Sequence, residues 1–148
     1  MGKNRDNALN HCNPDKELAF TQKEFDMRLS AIRNRMEAAG IDLLWLSAPE
    51  SLYYVSGYKC EWYQAQSPKQ WPATSGIAIH KDHNTFILFD TPSEMIMCRF
   101  VTCASDIRIF PIENRRDGIA FILDELVAEN WLTLNKSTVA MEFFSYRP

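Results

Sequence analysis

Ser47-Ala-Pro-Glu-Ser-Leu-Tyr-Tyr-Val-Ser-Gly-Tyr58 holds a helix start and a glycine stop close together. Ser47-Ala-Pro-Glu50 has the pattern of a capping box. A serine hydroxyl can accept from the amide three residues on, the glutamate can reach back, and proline suits the first turn, where its missing N–H is not needed. Gly57 then stops the helix after about two turns. Just upstream, Asp42-Leu-Leu-Trp-Leu46 is nearly all apolar and reads as a strand covered on both faces. A longer helix precedes it. Thr21-Gln-Lys-Glu24 is another capping box, and Phe20 and Phe25 occupy the two positions of a hydrophobic staple. Phe25, Leu29, Ile32 and Met36 share one face, Arg28, Arg33 and Arg35 lie off it, and Gly40 ends it.

Downstream, the long segment from Gly57 to Ser75 is rich in Trp, Tyr, Gln and Pro. A loop of that length in a small domain is functional or disordered, and its aromatics Tyr58, Trp62, Tyr63 and Trp71 argue against disorder. Gly76–His80 and Thr85–Phe89 read as two strands of a hairpin around the turn Lys81-Asp-His-Asn84. Thr91-Pro-Ser-Glu94 is a third capping box, opening a helix to about Cys103. Asp106–Ile112 alternates as a strand, with Pro111 marking its end. Asn114 caps a further helix carrying Ile119, Ile122, Leu123, Leu126 and Val127, and Ser137–Met141 is a last strand. Alternating strands and helices predict a layered α/β domain, and the hairpin makes its sheet mixed.

The 148 residues suffice for one domain with a real core. A formal charge of −3 and a pI of about 5.6 show no nucleic-acid footprint and no polybasic membrane patch. No apolar run approaches the ~20 residues that span a bilayer. Met1–Asn10 lacks the apolar segment of a signal peptide, so a cytoplasmic location is expected. The cysteines, Cys12, Cys60, Cys98 and Cys103, form no Cys-x-x-Cys pair and are expected as reduced, buried thiols. Phosphate-cradling glycine loops and nucleophile elbows are absent. His80 and His83 have metal-like spacing, but they span a strand end and a turn and lack further ligands. Glu24, Asp26, Glu37, Asp124, Glu125 and Glu129 read as solvated helix faces, and Asp82 and Asp90 as turn or capping residues. Tyr58-Lys-Cys-Glu-Trp-Tyr-Gln-Ala-Gln66 is the best candidate site. Loop aromatics offer large contact area at low entropic cost, although Trp62 and Trp71 could equally plug the core.

Several of these features together resemble the N-terminal domain of the creatinase/prolidase family, the front half of the pita-bread metallohydrolases. They are the Phe25–Gly40 helix with Arg28-Leu29 and Met36, Gly40-Ile-Asp-Leu-Leu44, Tyr53-Tyr-Val-Ser-Gly57 and the closing Val139-Ala-Met-Glu142. The resemblance runs from roughly Phe20 to Pro148, with Ser51 where many members carry asparagine. It implies a three-layer α/β/α, ribonuclease-H-like domain over residues 20–148 behind a flexible arm over 1–19. The family's chemistry lies in a C-terminal domain, which would begin about where this chain ends. By that likeness the chain holds no catalytic residue and no metal ligand, and is inactive alone. A manganese, cobalt or zinc di-metal centre would belong to the second domain of a parent Xaa-Pro dipeptidase or related hydrolase, whereas a creatinase-like parent would be a metal-free C–N hydrolase. The implied partners are that C-terminal domain and a second copy in a homodimer. The loop would reach the neighbour's active site, making Trp62, with Tyr58, Glu61, Tyr63 and Gln64, substrate-proximal through packing and water exclusion. Two alternatives stand beside this. One is a stand-alone α/β module for protein association or small-molecule binding; the other is a self-contained hydrolase using Glu61 or the His80/His83 turn.

Overall fold

The computed structural model describes residues 15–59, 75–111 and 117–142. Helix α1 (Gln22–Ala38) begins as its sequence dictates. Thr21 Oγ1 accepts from the Glu24 amide at 3.3 Å, and the Phe20 and Phe25 rings meet edge-on at 5.8 Å. The reciprocal half of the capping box is not made, because the Glu24 carboxylate accepts from Arg28 Nε at 2.9 Å. At the other end Gly40 takes φ +67. The amides of Gly40 and Ile41 return to the carbonyls of Glu37 and Met36, a Schellman arrangement that a glycine at this position permits. Of the arm expected over residues 1–19, only 15–19 are described; there Lys16 Nζ donates to the Ala104 carbonyl and the Glu17 amide to the Phe100 carbonyl.

The described strands are β1 (Leu43–Leu46), β2 (Gly76–His80), β3 (Phe86–Asp90), β4 (Asp106–Ile109) and β5 (Val139–Met141). They form one sheet in the order β4-β3-β2-β1-β5. β2 and β3 are the expected hairpin, β1 is antiparallel to β2, and β1–β5 and β3–β4 are parallel, so the sheet is mixed. Alternation splits the inner strands between two cores. On one face Leu46, Ile77, Ile79, Phe86 and Leu88 pack with α1, with α2 (Pro49–Ser56) and with α3 (Met95–Phe100). On the other, Leu43, Trp45, Ala78, Ile87 and Phe89 pack with α4 (Gly118–Ala128) and the following Trp131 and Leu132. The two-sided burial expected of β1 is therefore met, and the three-layer α/β/α fold with it. Gly76 is dictated by this packing: a Cβ there would lie 2.2 Å from the Trp45 ring. None of the described helices is long and apolar enough to cross a membrane.

Three helix starts differ from the sequence reading. The Ser47 capping box does not form. Ala48 is the N-cap of α2 and makes no side-chain cap bond, and the helix is capped from the far end of the chain instead. Glu142, just past β5, accepts from the Ser47 and Ala48 amides at 2.7 and 2.6 Å and from the Ser51 hydroxyl. A carboxylate satisfies orphan amides and suits the positive end of the helix better than a serine hydroxyl. Thr91-Pro-Ser-Glu94 is a turn, with Thr91 Oγ1 2.8 Å from Ser93 Oγ, and α3 runs only from Met95 to Phe100. Just past its C-cap Val101, Thr102 Oγ1 donates to the Cys98 carbonyl at 2.6 Å. The cap of α4 is Asp117, which accepts from Ile119 at 2.9 Å; Asn114 lies outside the described residues. β4 ends at Ile109, before Pro111, and β5 starts at Val139.

The β2–β3 turn is gripped from both helical layers. Arg33 of α1 donates to the carbonyls of His83 and Asn84. The His83 ring stacks on Trp131 at 4.7 Å, and the His80 ring lies 4.8 Å from His83. Asp42 binds Lys81 at 2.7 Å and the Thr138 amide at 2.8 Å, joining the turn to the strand β5. Lys81, chiefly through its hydrogen bond, holds the Asp42 carboxyl below its usual range.

Two predictions follow from this packing. Glu142→Ala should lower unfolding free energy by about 1–3 kcal/mol, with Glu142→Gln recovering part. Urea denaturation checks this, and a loss under ~0.5 kcal/mol would remove Glu142 as the cap of α2. Burial, with the neighbouring His83 charge adding, keeps His80 protonating below its ordinary 6.5. The unfolded chain then takes up that proton first, so the stability contributed by neutral His80 is complete above pH 6.5 and drains away as pH falls through the lower folded value. Denaturation midpoints followed from about pH 8 to about pH 5 should drop on acidification, and His80→Gln should flatten the drop. An identical profile in the variant would contradict this.

Candidate functional site: an aromatic groove

The short helix α2 presents Glu50, Tyr53 and Tyr54 toward one side, with Pro49 buried at its start, and Gly57 then throws the chain sideways. Its φ of +79 is left-handed, and a Cβ there would meet the Phe25 ring at 3.2 Å and the Val101 carbonyl at 3.3 Å. Ser56 braces the turn: its hydroxyl donates to the Leu52 carbonyl at 2.7 Å and accepts from the Tyr58 amide at 3.2 Å. Tyr58 and Lys59 leave this turn to complete a groove of about 600 Å³ whose far wall is Phe20 and Arg28.

Arg28 organises that wall. Its guanidinium lies 4.1 Å from the Phe20 ring centre and 4.6 Å from that of Tyr54, within cation–π range of both. Its Nε is held by Glu24 and its Nη1 donates to the Tyr54 carbonyl at 3.0 Å. Phe20 also meets Tyr53 at 5.8 Å, and Lys59 Nζ stands 5.4 Å over the Tyr53 ring. Such a surface can pack a flat apolar group; Arg28 is already paired with Glu24, and Lys59 and Glu50 place one charge of each sign along the lining.

At the floor, the Tyr58 hydroxyl donates to the carboxylate of Asp90. Ser75 Oγ donates to the same carboxylate at 2.6 Å, and so does the Thr91 amide at 2.7 Å. Asp90 is 1% exposed. The reading of Asp90 as a turn or capping residue is therefore incomplete: it accepts locally from Thr91 but also reaches two distant parts of the chain.

Of the expected site residues, the structure places Tyr58, buried in the groove floor. Glu61, Trp62, Tyr63 and Gln64 lie outside the described residues, as do Trp71, Cys12 and Cys60. His80 and His83 pack on Trp131, and among the described residues no group of three or more His, Cys, Asp or Glu is placed to hold a metal ion. Cys98 is buried and Cys103 half-buried, neither in a disulfide, with burial pushing Cys103 up to about 11, far from a nucleophile's range. Phe20, Arg28 and Asp90 were not anticipated as site residues, whereas Lys59 falls within the candidate stretch Tyr58–Gln66. Phe20 and Arg28 did carry a signal, since one was marked as a staple residue and the other as an arginine off the apolar stripe.

Gly57→Ala should cost about 2 kcal/mol or more, from the left-handed backbone and the two close contacts together. Chemical denaturation checks it. A loss below ~0.5 kcal/mol would mean that the turn relaxes and does not fix Tyr58.

Comparison with solved structures finds the same fold at low identity. The N-terminal domain of an Xaa-Pro dipeptidase from Lactobacillus brevis superposes with a TM-score of 0.60 at 16% identity, covering 77% of this chain and 75% of that one. An Xaa-Pro aminopeptidase structure from Streptococcus pyogenes gives 0.55 at 12% identity, over 82% and 94% of the two chains. A dipeptidase from Pyrococcus horikoshii OT3 gives 0.58 at 13% identity; 79% of this chain is covered, against only 28% of that longer protein. A search of curated proteins finds no significant match. The family description "Creatinase/Prolidase N-terminal domain" matches residues 28–147, and the chain belongs to that family.

Proposed function

We propose that this chain is the non-catalytic N-terminal domain of a creatinase or Xaa-Pro dipeptidase-like hydrolase, serving dimerisation and shaping the substrate entrance of the partner subunit. The observation that carries the reading is the family match over residues 28–147, on a fold that sets an aromatic groove at the root of residues 59–74. A di-metal centre of manganese, cobalt or zinc would belong to the second domain of the parent protein, together with the bond-breaking chemistry. Trp62, Tyr63, Gln64 and Glu61, carried on the segment that follows Tyr58, would exclude water and pack against substrate there. Association has independent support in α4, which keeps Ile119, Leu123 and Val127 exposed along one side, at 56%, 41% and 41%. An apolar stripe of this kind is normally covered by another domain or subunit. The groove supports a second reading, a stand-alone small-molecule-binding module, in which a flat ligand would sit against Tyr53 and Tyr54.

Trp62→Ala in the parent enzyme tests the first reading. The expected result is a roughly tenfold loss in kcat/KM for Xaa-Pro dipeptides, the scale of truncating one packed aromatic. Unchanged kinetics with every substrate would sink the substrate-facing role. Sedimentation of the same protein should show a dimer, and a monomer would remove the association role.

A further inference from the structure

Asp90 does more than a strand end requires. The Thr91 amide alone would satisfy a local capping role. Yet both carboxylate oxygens also reach hydroxyls remote in sequence, Tyr58 at 32 residues and Ser75 at 15. All three residues are buried, with Tyr58 at 2%, Ser75 at 1% and Asp90 at 1% exposure. A buried carboxylate carries a large desolvation penalty unless it is well hydrogen-bonded, and for packing alone an apolar residue would serve at least as well. What the arrangement achieves is positional. Tyr58 directly follows the glycine that ends α2 and Ser75 directly precedes β2, so residues 59–74, which join the two elements, are flanked by two donors to one acid.

We propose that Asp90 is a positioning residue, a single buried carboxylate that fixes the exit at Tyr58 against the return at Ser75 and so sets the frame on which residues 59–74 are carried. The role gains functional meaning from the reading of that segment as substrate-facing. Because Tyr58 is also the groove floor, the same carboxylate fastens the groove to the end of β3. The two hydroxyls are linked through it, and each holds the acid in the orientation that the other needs.

The test uses the 148-residue chain without substrate, so its outcome is independent of whether the segment faces one. Tyr58→Phe, Ser75→Ala and their combination are compared with Asp90→Ala and Asp90→Asn. Two readouts are followed, trypsin cleavage after Lys59 and Lys69 and amide exchange across the sheet. Each single hydroxyl loss should speed cleavage on the order of tenfold, the scale of one bond to a charged acceptor. Exchange at Ile77–Ile79 and Ile87–Phe89 should stay as in the wild type. The double variant should fall well short of the product of the two effects, and in the Asp90→Ala background neither change should add anything. Asp90→Asn should recover part of the loss, since an amide keeps one acceptor oxygen. Multiplying effects of Tyr58→Phe and Ser75→Ala would overturn the proposal, as would faster exchange spread evenly through the sheet. If Asp90→Ala does not fold, the two hydroxyl variants and their combination decide the matter.

Discussion

Gly57 sets the constraint on which the groove and the core beneath it both depend. At φ +79 the chain can turn from α2 directly into Tyr58, and without a Cβ it can do so against the tip of Phe25 and the Val101 carbonyl. One turn therefore seats α2 against α1 and against the end of α3. Ser56 sits inside it, and its carbonyl accepts the Cys103 amide at 3.0 Å, so the segment after α3 is attached at the same place. A residue with a side chain would have to displace a ring and a backbone carbonyl at once, in a conformation unfavourable for L-residues. Tyr58 gains its path to Asp90 from that geometry.

The rest of the domain holds this turn steady. The strands β2 and β3 are apolar on both faces, and burying a large aliphatic side chain contributes about 1.5–3 kcal/mol each. Burial on that scale makes the sheet a rigid floor. The long-range ties are polar and fewer. Glu142 caps α2 from beyond β5, Asp42 joins β5 to the β2–β3 turn, and Arg108 of β4 gathers Asp106, Glu125 and Glu129, tying α4 to its strand. Most of these join segments distant in sequence, so charge adds to the ladder pairing and to the packing of Ile107 in holding the short, half-exposed edge strands.

Much of this was legible in the sequence, because much of it is local. Thr21 with Phe20 and Phe25, Gly40, the apolar run of β1, and the hairpin with its turn are all decided by residues within a few positions of one another, and each formed where its pattern said. The layered mixed sheet followed from their order. What the sequence hid were bonds between distant partners. Ser47 looked like the cap of α2, but nothing local in the chain announces that Glu142 will arrive beside it. Asp90 looked like a turn residue because its two other donors lie far away in sequence. Arg28 was legible as a position off the apolar stripe, but its place between Phe20 and Tyr54 depends on α2 crossing α1. Thr91-Pro-Ser-Glu94 had the letters of a capping box and became a turn, since Thr91 Oγ1 is taken by Ser93.

Under the proposed function this chain would supply part of an active site: a groove, a root for the aromatic segment and surfaces for assembly, with bond cleavage left to another domain. The most direct measurement is turnover of Xaa-Pro dipeptides by the purified 148-residue chain with manganese, cobalt or zinc added, alongside its bound-metal content. The expected result under the proposed function is no turnover and no stoichiometric metal. Metal-dependent hydrolysis by this chain alone would contradict it and return attention to Glu61, His80 and His83.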